Sequence, residues 1–174
     1  MATELDVRRI ESTISYTFRN KAVLVEALTT PHKNELEEGG VATREGNRRL
    51  ATLGEAVMRL FIIQQWYGGV GNNCKLCCKS SGKRAHYAAA LQDILINYVS
   101  NVRLCNLATQ AGIGNCLLRS PREGDVTIAP ATLIMAIKAI IGASWLDNGN
   151  ILEALRGPLL ALGYVLQTFP STFG

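Results

Sequence analysis

The chain has 174 residues, enough to bury a sizeable core in about one domain without disulfide or metal staples. Hydrophobic residues make up 48% and charged residues 18%, which excludes a disordered chain and suits a bundle with several nearly all-apolar helices. The formal charge of +4 is a mild excess that leans toward anionic partners, and no apolar run reaches the roughly 20 residues a bilayer span needs, since Ala129 to Trp145 is interrupted by Pro130, Thr132 and Lys138.

Val7, Ile10 and Ile14 recur at helical spacing, and the pattern predicts a first helix over 6–13 with Asp6 as its N-cap. The turn Tyr16-Thr17-Phe18-Arg19-Asn20-Lys21 follows. Asn20 is read as the cap of a second helix over 21–30, with Val23, Leu24, Ala27 and Leu28 facing a core and Pro31 stopping it. Residues 33–43, with Gly39-Gly40 and Glu35, Glu37 and Glu38, read as an acidic loop.

The stretch Asn47-Arg48-Arg49-Leu50-Ala51-Thr52-Leu53-Gly54-Glu55-Ala56-Val57 opens the next predicted helix. Leu50, Leu53, Val57 and Leu60 form an apolar stripe that continues through Phe61 and Ile63 toward Trp66. Gly68-Gly69-Val70-Gly71-Asn72-Asn73 reads as a break, followed by a basic, cysteine-bearing segment to Gly82. Helices are then expected over 83–98 and over 101–111. The second is capped by Ser100, carries Val102, Leu104, Leu107 and Ala108 on its apolar side, and stops at Gly112. After a polar connector over 117–125, Pro130 suits the first turn of a central buried helix that runs to Asp147, with Leu133, Ile134, Ala136, Ile137, Ile140 and Ile141 covering most of its circumference. A last helix from Asn150, with Glu153 as a capping partner, weakens at Gly157-Pro158.

Four of these blocks together resemble the ribonuclease III family. Its signature helix reads Asn-Glu-Arg-Leu-Glu-Phe-Leu-Gly-Asp-Ala-Val, and this chain keeps Asn47, Arg49, Leu50, Leu53, Gly54, Ala56 and Val57. The turn before Asn20-Lys21, the run Val99-Ser100-Asn101 to Leu107-Ala108 with Gly112-Ile113-Gly114, and the close Gly142-Ala143-Ser144-Trp145-Leu146-Asp147 are similar to family segments in the same order. The resemblance spans about residues 5–165 and implies an all-α fold, a single ribonuclease III-like helical domain with no double-stranded RNA-binding domain after it.

The resemblance also implies a site. Enzymes of this family cut double-stranded RNA with Mg²⁺, a cation that takes carboxylate oxygens in near-octahedral geometry and stabilises the attacking and leaving oxygens. Positions 48, 51 and 55 lie at i, i+3 and i+7, on one helical face. Here they are Arg48, Ala51 and Glu55, and the family's aspartate and glutamate on the late helix are Met135 and Lys138. Only Glu55 keeps a carboxylate, and it is expected to pair with Arg48 or with Lys138. Glu45, Asp125 and Asp147 are the acids that could rebuild a metal site. Thr52 stands where the family places a phenylalanine that packs across its homodimer boundary, so one anchor of that interface is reduced.

Three functions stay open from the residues. The first is a catalytically degenerate protein that binds structured RNA, or an RNA-protein particle, without a cofactor. It would use Arg44, Arg48, Lys75, Lys79, Lys83 and Arg84 on phosphates, or grip a phosphate with Arg48 and Lys138. The second is an active Mg²⁺-dependent endoribonuclease rebuilt around Glu55. The third is an interaction subunit that pairs with itself or another protein through the signature-helix face. Cys74, Cys77 and Cys78 with His86 have the start of a zinc spacing but lack a second matching pair, as Cys105 and Cys116 lie in other elements, and reduced thiols are the expectation. Five cysteines, an opening Met1-Ala2-Thr3-Glu4-Leu5-Asp6 that carries acids, and no apolar signal segment imply an intracellular, reducing compartment with no membrane partner.

Overall fold

Residues 4–31, 45–70, 84–119 and 127–163 are described by a computed structural model, with the side chains of 68–70 and 84–90 outside the description. Seven α-helices occur among these residues. They are α1 (Glu4–Thr13), α2 (Lys21–Leu28), α3 (Arg48–Val70), α4 (Arg84–Tyr98), α5 (Asn101–Gln110), α6 (Pro130–Asp147) and α7 (Arg156–Ala161), with 3₁₀ turns at Ile113–Cys116 and Glu153–Leu155. No strand occurs among the described residues, and a lone parallel bridge joins Thr29 to Leu118.

The most apolar helix, α6, is the hub. Pro130 sits at its start, where the missing N–H costs nothing, and from Ala136 to Ser144 every residue except Lys138 is buried. Helices α2, α3 and α5 pack around it, and α3 makes the broadest contact. By length and composition α6 could cross a bilayer, and its stretch from Ala136 to Ser144 is largely buried inside the protein.

Two glycines let α3 and α6 touch backbone to backbone. A Cβ at Gly54 would lie 1.8 Å from the Lys138 carbonyl oxygen, and one at Gly142 would lie 2.2 Å from the Leu50 oxygen. Nothing larger than hydrogen fits at either place, so the crossing fixes which residues of the two helices face each other.

The sequence pattern needs correction at several points. Asp6 is inside the first turn of α1 and not its cap, although an acid there still meets the positive end of the helix dipole. Helix α2 is capped by Asn20, whose side chain accepts from the Ala22 N–H, but ends at Leu28. Thr29 and Thr30 leave the helix because their strip pairs with Leu118: the Thr30 N–H donates to the Leu118 oxygen at 3.0 Å, and the Leu118 N–H to the Leu28 oxygen at 2.9 Å. Helix α3 runs through Gly68 and Gly69 to Val70. Its buried face is Leu50, Ala51, Val57, Met58, Phe61 and Ile62, while Leu60 is exposed. Val102 on α5 is exposed too, while Ser100 caps that helix as expected, accepting from the Arg103 N–H. Past α6, Asn150 is a left-handed residue (φ 64°) rather than a cap; Asn148 accepts from the Ile151 N–H, and Glu153 pairs with Arg156.

Candidate functional site

Glu55 and Lys138 meet across the α3–α6 crossing. The Lys138 Nζ donates to Glu55 Oε2 at 2.8 Å, and one turn along α3 the Arg59 guanidinium donates to Glu55 Oε1 through Nε at 3.3 Å and a terminal nitrogen at 3.1 Å. Both carboxylate oxygens are therefore held by cations. The hydrogen bond from Lys138 is the main cause of a Glu55 carboxyl held below its ordinary range, with Arg59 adding to it against the opposing effect of partial burial. The Lys138 side chain is 14% exposed, against 37% for Glu55 and 46% for Arg59, so the cluster is partly open to solvent, chiefly at Glu55 and Arg59.

Of the two pairings expected from sequence, the structure makes the one with Lys138. Arg48 is exposed, and no ion pair of it occurs among the described residues. Ala51 is buried in the core and Met135 packs against it half-buried, so neither offers a polar group. Arg59 went unread in the sequence, although a glutamate four residues ahead of an arginine on a helix is the signal that finds such a pair. Thr52 is exposed, and its hydroxyl donates back to the Arg48 carbonyl at 3.1 Å, so it presents no ring to a partner.

Two of the acids that could rebuild a metal site are placed. Glu45 is exposed. Asp147 is already engaged: its carboxylate accepts from the Tyr16 hydroxyl at 2.9 Å and from the Arg19 and Asn20 N–H groups, both at 2.8 Å. Burial alone would push this carboxyl up, but the backbone N–H groups of Asn20 and Arg19, then Tyr16, outweigh it and hold it low. Burial and the Asp147 carboxylate together push the Tyr16 phenol up to about 12. This latch ties the turn before α2 to the end of α6.

The remaining expected residues lie partly outside the description. Arg44, Lys75, Lys79, Lys83, Asp125, Cys74, Cys77 and Cys78 are outside the described residues, as are the side chains of Arg84 and His86. Cys105 and Cys116 are free thiols, and burial pushes the Cys116 thiol up. Among the described residues no group of three or more His, Cys, Asp or Glu side chains could hold a metal ion. The donors at the crossing do not fit Mg²⁺, since an ammonium and a guanidinium occupy both oxygens of the carboxylate it would need.

No family model matches the chain. It is 30% identical over 156 residues to the Ribonuclease 3 of Oceanobacillus iheyensis, covering 87% of this chain and 62% of that protein. To the Ribonuclease 3 of Bacillus licheniformis it is 31% identical over 151 residues, covering 85% and 53%. The chain is a homologue of ribonuclease III over most of its length. It spans between about half and three-fifths of the length of these curated relatives. The fold agrees with the nuclease domain of ribonuclease III from Campylobacter jejuni at a TM-score of 0.65 with 24% identity, covering 94% of this chain and 95% of that domain. A second structure of that domain, described for flexibility in its region involved in dimer formation, gives a TM-score of 0.61 with 22% identity. In this ribonuclease III-like domain Gly54 lies at the α3–α6 crossing beside the Glu55–Lys138 pair.

Proposed function

We propose that the protein binds structured RNA through this domain without cutting it. Homology to ribonuclease III supports RNA as the ligand. The observation that carries the non-cleaving part is the Glu55–Lys138 pair: the one carboxylate left among the family's acid positions faces a lysine where the family has a glutamate. Without a carboxylate cage the reaction loses the charge that activates water and stabilises the leaving oxygen. A cation arriving beside Lys138 and Arg59 also meets like charge, which costs several kcal/mol per close pair at an effective dielectric of about 20.

The test is to incubate purified protein with a long RNA duplex in Mg²⁺ or Mn²⁺ and to follow both retention and cutting. Duplex that is retained at low salt, released as salt rises and recovered intact is the expected outcome. Specific cleavage that disappears in Glu55→Ala would replace this reading with an active nuclease rebuilt around Glu55.

A further inference from the structure

Among the described residues, the charges at the α3–α6 crossing do not balance. Lys138 and Arg59 share the single carboxylate of Glu55, which leaves one positive charge in excess. Arg48, seven residues before Glu55 on the same face of α3, adds a second exposed cation. The donors are not used up either. An ammonium has three N–H groups and a guanidinium five, and the contacts to Glu55 use one and two of them. The backbone contact at Gly54 and Gly142 fixes the origins of both side chains, and Glu55 restrains their free ends, so much of the rotamer entropy that two long cationic side chains lose on gripping a ligand is already spent.

A restrained pair of donors with surplus positive charge, partly open to solvent, suits an oxyanion. We propose that Lys138 and Arg59 form a subsite for one backbone phosphodiester of RNA, donating to its non-bridging oxygens, with Glu55 as the residue that positions them. The family's acid site has thereby become a phosphate grip in this chain. The assignment rests on the RNA-binding reading above and adds where one phosphate sits. In this arrangement Glu55 opposes the ligand through its own charge while holding the donors in place.

The test measures the affinity of a short blunt RNA duplex for the full chain over a salt series. The variants are Arg59→Gln and Glu55→Gln, with Arg8→Gln on α1 as a surface control. Arg59→Gln leaves the Lys138–Glu55 contact in place, and Glu55→Gln keeps an acceptor of the same shape for Lys138, so both variants retain the fold, which circular dichroism checks. Arg59→Gln is expected to weaken binding about threefold to tenfold and to flatten the salt slope by about 1. Glu55→Gln is expected to tighten binding by a similar factor, because it removes the negative charge nearest the phosphate. Exchanging Na⁺ for Mg²⁺ at constant ionic strength should not strengthen binding. RNA that binds with affinity and slope unchanged in both variants would overturn the subsite and leave RNA binding standing. Binding that needs Mg²⁺ and is lost in Glu55→Gln would overturn the subsite in favour of a metal site. No binding by the parent at low salt would remove both the RNA reading and the subsite.

Discussion

Asp147 shows what a single carboxylate does when geometry has already assigned its partners. Three donors from the turn at 16–20 converge on it, so Asp147→Asn should cost about 2 kcal/mol and lower the melting temperature by about 4–8 °C. The loss reflects both the weaker acceptor and an amide that must turn an N–H toward a backbone N–H. Because its folded carboxyl sits below the ordinary value, the latch adds stability above about pH 4 that fades as pH falls further. Tyr16 acts at the other end of the scale. Its phenol is raised from 10.0 to about 12, so the folded form keeps a proton that the unfolded chain releases, and stability falls as pH climbs through that window. Thermal melts of parent and Asp147→Asn from pH 3 to 7, and of parent and Tyr16→Phe from pH 9 to 12, measure both. A variant curve parallel to the parent's in its window would mean that the latch is not what titrates there.

At the scale of elements, the crossing of α3 and α6 decides the site, and it depends on two hydrogens. Gly54→Ala would put a methyl 1.8 Å from the Lys138 carbonyl, against backbone that has nowhere to move, so the cost should be about 3 kcal/mol or more. A denaturant midpoint for Gly54→Ala close to the parent's would show that the helices do not meet there. Local sequence recorded much of this architecture. Pro130 marked the start of α6, and Asn20 and Ser100 announced helix starts by their own capping chemistry. What it could not record came from elsewhere in the chain. Thr29 and Thr30 read as helix until Leu118, far along the sequence, takes their backbone bonds. Leu60 and Val102 fit an apolar stripe by spacing, yet α3 turns Met58, Phe61 and Ile62 inward and α5 turns Leu104 and Ala108 inward, so those two are left exposed. The partner of Glu55 was narrowed to Arg48 or Lys138 by family position, and only the packing chose Lys138.

At the scale of the molecule, the fold is that of a ribonuclease III nuclease domain, and the proposal is that the acid cluster is not kept with it. The fold needs the Gly54–Gly142 contact, the apolar circumference of α6 and the Asp147 latch, and none of these involves a metal ion. Lys138 supplies from within the chain the positive charge that an acid cluster would have to gather from solution. The most direct test is calorimetric titration of Mn²⁺ into the parent and into the combined variant Arg48→Glu, Ala51→Glu, Met135→Asp and Lys138→Glu, with a thermal melt of each. The parent should show no stoichiometric binding and no metal-dependent shift. The variant should be less stable than the parent without metal, because like charges then face one another, and should bind Mn²⁺ and regain stability as it does so. Stoichiometric Mn²⁺ binding by the parent that is lost in Glu55→Ala would contradict the account, and so would a folded variant that does not respond to Mn²⁺.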